Sequence, residues 1–116
     1  MSKGRKKLQV KVLDGNDSAV ISVSGDVDLY SSPEMRKAIT QLCKKKVTPI
    51  VVNLSGVDYM DSSGVATLVE GLQLTGKYKG IFRIACLSQG VREVFELARL
   101  DRVFSIFDTL DEALKT

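Results

Sequence analysis

The sequence predicts an α/β domain built on one mixed, mostly parallel β-sheet with about four α-helices. Two short segments near the N-terminus alternate apolar with polar residues, which is typical of half-buried strands. After them, segments with helical periodicity alternate with short apolar segments. A hairpin followed by repeated helix–strand units favours right-handed crossovers and parallel pairing. With 116 residues, 44% of them hydrophobic, the chain has the size and composition of one domain.

The predicted hairpin joins the first two strands across a turn at residues 14–17, where Asp, Gly and Asn tolerate positive φ angles. The second strand is expected to run antiparallel to the first. The inward-facing residues of the two strands are Leu8, Val10 and Val12, and Ala19, Ile21 and Val23.

The first predicted helix begins at Ser32, whose hydroxyl would cap it, and continues through Pro33 and Glu34. Three lysines at residues 44–46 end it, and we interpret them as a charge complement to the carbonyl end of the helix rather than as a binding patch. The predicted buried face consists of Met35, Ala38, Ile39 and Leu42.

A continuous apolar segment at residues 49–54 predicts a strand covered on both faces. A helix follows from about Ser62 to Lys77, and Gly76 is a candidate for its C-terminal cap. The predicted core stripe of this helix is Val65, Leu68, Val69 and Leu72.

Residues 81–86 predict the next strand and residues 103–107 the last one. Between them, Ser88 would cap a helix. The predicted buried face of this helix is Val91, Val94, Phe95 and Ala98. Thr109 and Glu112 match a capping box and predict a terminal helix.

The chain contains no histidine. This excludes catalysis by Ser-His-Asp or Cys-His groups, metal sites with histidine ligands and a phosphorylated histidine. Cys43 and Cys86 have no CxxC partner and are interpreted as small buried thiols. We therefore expect no metal, no cofactor and no enzymatic activity.

Basic residues are concentrated at the N-terminus, where four of the 17 lysines and arginines lie within residues 1–7. No acid occurs there, so the remaining 13 lysines and arginines nearly balance the 14 acids of the chain. This near-neutral remainder predicts no direct contact with nucleic acid. We interpret residues 1–7 as a flexible tail, although such a basic segment could also contact nucleic acid or anionic lipid, and residues 8–116 as the domain. The sequence has no signal peptide and no apolar segment long enough to cross a membrane, which predicts a cytoplasmic protein with no membrane insertion.

Two loops follow the predicted carboxyl ends of strands, where α/β sheets collect their functional groups. One contains Asp61, Ser62, Ser63 and Gly64. Asp61 can cap the helix by accepting from the amide of Ser63 or Gly64, which leaves both serines in the first turn. Helical periodicity alone predicts Ser63 as the more exposed hydroxyl. We interpret Gly64 as an opening through which another molecule could approach the serine.

The other loop holds Asp26 and Asp28 within the segment Gly-Asp-Val-Asp. Two interpretations stay open for these carboxylates. They can satisfy nearby amides in a turn, or they can face outward towards a partner.

Together, the Asp-Ser-Ser-Gly element, the strand at residues 50–54 before it and the segment at residues 25–28 resemble the STAS domain of bacterial anti-sigma factor antagonists. The segment at residues 97–104 is similar to the third helix and last strand of that family. The resemblance covers nearly the whole chain.

The resemblance implies a single STAS-like domain that is phosphorylated on the serine directly after the aspartate, here Ser62. It implies an anti-sigma factor that is also a serine kinase as partner, contacting Asp28 and Asp26, and a PP2C-type phosphatase that removes the phosphate. The unphosphorylated protein, expected to be a monomer when free, would bind the anti-sigma factor and release the sigma factor. Phosphorylation would end that binding.

Two alternatives belong to other functional classes. A STAS subunit or scaffold of a lipid-transport ABC complex can keep a similar turn without being phosphorylated. Ser62 could also be a nucleophile, but without histidine it would need a lysine base, and Lys77 lies about 22 Å away along the helix.

Overall fold

The computed structural model describes residues 6–15 and 18–115. The strands are β1 (Gln9–Asp14), β2 (Ala19–Ser24), β3 (Ile50–Gly56), β4 (Phe82–Ala85) and β5 (Ser105–Phe107). The helices are α1 (Ser32–Lys44), α2 (Ser62–Lys77), α3 (Gln89–Leu97) and α4 (Leu110–Leu114). The predicted order of elements is confirmed, with a short 3-10 turn at Leu100–Arg102 added before β5.

The five strands form one sheet in the order in which they occur in the chain. β1 pairs antiparallel with β2, and all other neighbouring strands are parallel. The carboxyl ends of β2 to β5 therefore lie at one edge, where the four loops leading into the helices gather. This confirms the predicted α/β class and places both candidate loops at the same edge.

Two cores lie on opposite faces of the sheet. On one face, α1, α2 and α3 pack over residues such as Ile21, Val52 and Ile84. On the other face, α4 contributes Ala113 to a smaller cluster. The sheet residues of that smaller cluster are Val20, Val51 and Ala85.

β1 is an edge strand, and this limits how much of it is buried. Leu8 is buried and Val10 half-buried, as predicted, but Val12 is 40% exposed. The prediction that Val12 is buried is therefore wrong: it faces α1, but it lines an open groove with Ala38 and Leu42 and keeps much of its surface in solvent. Residues 16 and 17 of the predicted turn lie outside the described residues.

Helix α1 buries the predicted face of Met35, Ala38, Ile39 and Leu42. Its N-cap position, however, is Ser31 rather than Ser32. Ser32 is a buried residue of the first turn, and the Ser31 hydroxyl donates to the carbonyl of Asp26 at 2.8 Å instead of capping the helix. Sequence alone does not separate two adjacent serines before a proline.

Helix α2 has the predicted bounds, but a different face of it is buried. Its buried line is Gly64, Thr67, Leu68, Gly71 and Thr75, whereas Val65, Val69 and Leu72 are only half-buried. At 3.6 residues per turn, the centre of this line lies about a quarter turn from the predicted stripe.

Small residues allow this packing. A Cβ atom added to Gly71 would lie 2.7 Å from the ring of Phe82 and 3.1 Å from Ile39, so the bare helix backbone approaches both. Gly76, predicted as the C-cap, is still helical. The helix ends instead through Lys79, which has a φ of 60°, and Gly80, whose amide donates to the carbonyl of Thr75 at 2.8 Å.

The C-terminal third has the predicted order of elements, but β5 begins at Ser105 rather than at residue 103, and Val94 of the predicted buried face is only half-buried. Ser88 and Thr109 cap α3 and α4 as predicted, accepting from the amides of Val91 and Glu112. Ala98 is exposed because α3 ends at Leu97, so the chain turns away before Ala98 can join the core. The two cysteines are half-buried, not buried as predicted.

Candidate functional site

The loops after β2 and β3 are held together by backbone hydrogen bonds at the carboxyl edge of the sheet. The amide of Val27 donates to the carbonyl of Tyr59, and the amide of Asp61 donates to the carbonyl of Val27, both at 3.0 Å. Val27 and Met60 thus form an isolated parallel bridge between the loops. This contact brings the predicted site residues of both loops into one region.

Asp61 caps α2 as the sequence predicts. Its backbone is extended, with φ −96° and ψ −173°, and its Oδ1 accepts from the amide of Ser63 at 2.9 Å. The same oxygen accepts from the Ser63 hydroxyl at 2.5 Å. The hydroxyl of Ser63 is therefore engaged inside the protein, and its proton is directed at a carboxylate.

Ser62 occupies the first position of α2 with its side chain in solvent. Ser62 is exposed, whereas Ser63 is half-buried. No hydrogen bond holds the Ser62 hydroxyl within the described part of the chain. The prediction from periodicity that Ser63 is the more exposed hydroxyl is therefore wrong. The quarter-turn rotation of the buried line explains the error, because Ser62 lies nearly opposite Gly64 and Gly71.

Gly64 faces the core rather than the solvent, so our interpretation of it as an opening for another molecule is wrong. It is buried, and a Cβ atom there would lie 2.6 Å from Cγ of Met60 and 2.6 Å from Cγ1 of Val27. Met60 and Val27 are the two residues that bridge the loops. The glycine therefore lets the start of α2 settle onto this bridge and so fixes where Ser62 emerges.

Asp28 accepts hydrogen bonds from nearby amides of its own turn, which is one of the two predicted roles. Its Oδ1 accepts from the amides of Tyr30 and Ser31, both at 2.9 Å, and from the Ser31 hydroxyl at 3.1 Å. Asp26 accepts from the amide of Lys6 through Oδ2 at 3.0 Å. Both aspartates are half-buried, so local capping leaves part of each side chain facing outward.

The model of the STAS domain matches residues 7–113 of this chain. The chain belongs to the STAS-domain family.

Named relatives of this STAS domain antagonise anti-sigma factors. The anti-sigma-F factor antagonist RsfB of Mycobacterium tuberculosis is 30% identical over 107 residues, spanning 92% of this chain and 87% of the relative. A crystal structure of an anti-sigma factor antagonist from Mycobacterium paratuberculosis is 29% identical, with a TM-score of 0.86 and coverage of 93% and 92% of the two chains.

Structures of the antagonist SpoIIAA share the fold in two states. The unphosphorylated form is 25% identical with a TM-score of 0.78, covering 93% of each chain. The phosphorylated Bacillus form is 24% identical with a TM-score of 0.72, covering 93% of this chain and 96% of SpoIIAA. The family expected from the Asp-Ser-Ser-Gly element is thereby confirmed.

Three exposed apolar or aromatic side chains surround the joined loops of this STAS domain, and sequence reasoning missed them. Leu29 is 67% exposed, Tyr30 83% and Tyr59 53%. Leu29 and Tyr30 lie in the loop that carries Asp28. The carbonyl of Tyr59 accepts a hydrogen bond from the amide of Val27 in that loop. The available signal was the Leu-Tyr pair directly after the Gly-Asp-Val-Asp segment.

Lys6 ties the start of the described chain to the same edge. Its ammonium group lies 2.9 Å from Oδ2 of Asp58, and its carbonyl accepts from the amide of Asp26 at 3.0 Å. The hydrogen bond and charge of Asp58 raise the pKa of Lys6. Residues 1–5 of the predicted N-terminal tail lie outside the described residues.

Residues 6–15 and 18–115 contain neither a cluster of metal-ligating side chains nor a membrane-spanning helix. Within these ranges, no three His, Cys, Asp or Glu side chains are grouped so that they could hold a metal ion. No helix there is long and apolar enough to span a bilayer.

Proposed function

We propose that this STAS domain is an anti-sigma factor antagonist switched by phosphorylation of Ser62. The observation that carries the proposal is the contrast between two adjacent hydroxyls. Ser62 is exposed at the first position of α2, whereas Ser63 is half-buried and donates to Asp61. A kinase active site must surround the hydroxyl it modifies, and Ser62 meets that requirement without any rearrangement of the cap.

The local electrostatics of Ser62 tolerate a phosphate. At pH 7 a phosphate adds a charge of about −1.5 to −2. The N-terminus of α2 favours such a charge by about 0.3–1 kcal/mol, while the neighbouring Asp61 opposes it by like-charge repulsion. These effects are small and of opposite sign, so the phosphorylated domain should stay folded.

A protein partner packed over Ser62 would respond much more strongly. Its interface would have to desolvate the doubly charged group or move away from it, which costs several kcal/mol. Phosphorylation therefore changes affinity far more than stability. We expect the unphosphorylated form to bind an anti-sigma factor with serine kinase activity and the phosphorylated form to be released. A PP2C-type phosphatase would reset the switch.

The partner surface we propose consists of Leu29, Tyr30, Tyr59 and the two aspartates Asp26 and Asp28. Tyrosines combine a large apolar area with a polar group and are enriched among residues that dominate binding energy. The exposed positions of the two tyrosines and the leucine beside the Asp61 cap support this assignment. The carboxylates would add electrostatic complementarity to a basic partner.

Site mapping after phosphorylation tests the assignment of Ser62. The purified chain is incubated with ATP and a candidate anti-sigma factor kinase, and the peptide containing residues 61–64 is sequenced by mass spectrometry. We expect phosphate on Ser62, its loss in Ser62→Ala and its retention in the matched control Ser63→Ala. Phosphate on Ser63 in the parent protein would refute the assignment.

Binding measurements with a phosphomimetic test the switch. We expect Ser62→Asp to weaken binding to the anti-sigma factor by about tenfold or more, because 1.4 kcal/mol corresponds to a factor of ten. Its melting temperature should stay within a few degrees of the parent. Unchanged affinity, with Ser62→Ala also behaving as the parent, would instead favour an unphosphorylated adaptor.

Asp28 needs a substitution that separates its two roles. Asp28→Asn keeps an oxygen that can accept from Tyr30 and Ser31 but removes the charge. If the charge contacts the partner, Asp28→Asn weakens binding while the melting temperature is unchanged. Equal affinity for Asp28→Asn and the parent would show that Asp28 acts only within its own loop.

The cellular setting completes the proposal. We expect the protein to act in the cytoplasm, where a kinase has ATP, and to be a monomer when free. Light scattering of the purified chain near 12.7 kDa would support the monomer. Co-purification with a membrane permease and its ATPase, without phosphorylation, would contradict the proposed function as a whole.

A further inference from the structure

A groove lies between the C-terminal ends of α1 and α2, at the edge of the domain away from Ser62. Its volume is about 710 Å³, within the range of pockets that bind small molecules, which is roughly 300–1,000 Å³. Along α2 the groove extends from Glu70, about 12 Å from Ser62, to Lys77, about 22 Å from it. Its lining comprises Thr40, Cys43, Lys44, Lys46, Glu70, Leu74, Lys77, Tyr78 and Lys79.

The rim of the groove carries unbalanced positive charge. Four exposed lysines line it, one at the end of each helix and one two residues beyond each end. None of these four makes an ion pair within the described part of the chain. The acid Glu70 is already paired with Arg36 at 2.7 Å, and Lys45, the middle lysine of the run, points elsewhere and pairs with Asp14.

The interior of the groove is mostly apolar, and the one acid in its lining, Glu70, is paired with Arg36. Leu74 and Cys43 are half-buried there. The Tyr78 hydroxyl donates to the carbonyl of Val47 at 2.6 Å. Burial raises the pKa of the Cys43 thiol and of the Tyr78 hydroxyl, so both are neutral at physiological pH.

We propose that this groove binds a small anionic amphiphile, meaning an alkyl or aromatic body that carries one carboxylate or phosphate. The apolar interior of the groove would contact the alkyl or aromatic body, and the lysines of the rim would contact the carboxylate or phosphate. The ordinary interpretation of the lysines, as complements to the two helix C-termini, accounts for Lys44 and Lys77. It does not account for Lys46 and Lys79, which lie beyond the helices and still face the same groove.

Two probes of equal chain length and opposite charge test the proposal. Sodium dodecanoate and dodecyltrimethylammonium chloride are titrated separately, below their micelle concentrations, into the isotope-labelled full chain. Amide shifts are followed by NMR. We expect dodecanoate to shift the amides of Cys43, Leu74 and Tyr78 saturably and to bind at least fivefold more tightly than the cationic probe.

Charge-matched variants then test the rim. Lys46→Gln combined with Lys79→Gln removes two groove charges beyond the helix ends, whereas Lys11→Gln combined with Lys37→Gln removes two exposed charges outside the groove. The groove pair should weaken dodecanoate about fivefold and the control pair less than twofold, since exposed charge pairs each contribute a small amount. Both double variants should retain the melting temperature of the parent.

Three results would overturn the proposal. The first is no saturable shift with dodecanoate, and the second is equal affinity for the two probes or for the two double variants. In the third, an acidic Leu-Glu peptide shifts the groove amides when dodecanoate does not, which would make the groove a protein docking surface. None of these results depends on Ser62, so they leave the proposed function to its own tests.

Discussion

The same substitution at two glycines of α2 should change stability in opposite directions. Gly64 is buried at the start of the helix, and an alanine Cβ there would lie 2.6 Å from both Cγ of Met60 and Cγ1 of Val27. Gly76 is exposed near the end of the helix, and a Cβ there would meet nothing within 4 Å. The two positions share a helix and a substitution and differ in what surrounds them.

The magnitudes follow from packing and helix propensity. Replacing a helical glycine with alanine gains about 0.5–1 kcal/mol in the absence of contacts, and this is the full expectation for Gly76→Ala. At Gly64 the same gain is opposed by overpacking, which typically costs about 1–3 kcal/mol. Val27 is branched at Cβ and fully buried, so it cannot turn aside cheaply. We expect Gly64→Ala to lose about 1 kcal/mol net.

Urea unfolding followed by far-UV circular dichroism measures both values under identical conditions. The two variants should differ by about 2 kcal/mol, which corresponds to roughly 8 °C in melting temperature for a domain of this size. If Gly64→Ala were as stable as Gly76→Ala, the close contact between α2 and the bridged loops would not exist in solution. The placement of Ser62 argued from it would then be wrong.

Three further predictions concern the cap, the tyrosine and the thiol. Asp61→Ala should lower the free energy of unfolding by about 1 kcal/mol in urea titrations, because the N-cap acceptor is lost. Asp61→Ser should recover most of this loss. Equal stability of Asp61→Ala and the parent would contradict the assignment of Asp61 as the N-cap. Tyr78→Phe should cost about 1 kcal/mol through loss of the hydrogen bond to Val47. Because burial raises the pKa of Tyr78, the folded state keeps the phenol proton to a higher pH than the unfolded state does. The contribution of Tyr78 to the free energy of unfolding is therefore complete below pH 10 and declines as the pH rises above it. The free energy of unfolding should fall less steeply with pH in Tyr78→Phe than in the parent, and identical slopes would contradict the assignment. In a Cys86→Ser variant, alkylation of Cys43 by iodoacetamide should reach half its maximal rate above pH 9, because burial raises the pKa of this thiol, and a midpoint at or below pH 9 would contradict it.

Local signals in the sequence predicted most elements correctly. Asp61, Ser88 and Thr109 were identified as caps from their position before a periodic segment, and each accepts the expected amide. Such caps involve residues two or three positions apart, so they depend little on the rest of the fold. Failures occurred where a choice lay between neighbours, as with Ser31 and Ser32.

The sequence predicted the local hydrogen bonds of two candidate-site residues but not the geometry that brings their loops together. The sequence indicated that Asp61 caps α2 and that Asp28 can satisfy turn amides, and both are observed. It did not indicate that Val27 joins the two loops, because that contact pairs residues far apart in the chain. Nor did it indicate that Leu29 stays exposed, since burial depends on what packs above the loop.

The sequence by itself determined the order of strands and helices, the α/β class and the start of α2, because these follow from periodicity and from capping within a few residues. Only the tertiary structure decided which face of α2 is buried, and with it which of Ser62 and Ser63 reaches solvent. Hydrophobicity favoured the line through Val65 and Val69, but the helix packs through Gly64 and Gly71. The bare backbone at these glycines approaches Val27 and Phe82 more closely than a larger side chain allows, and a pattern of apolar residues along one chain contains no record of that fit.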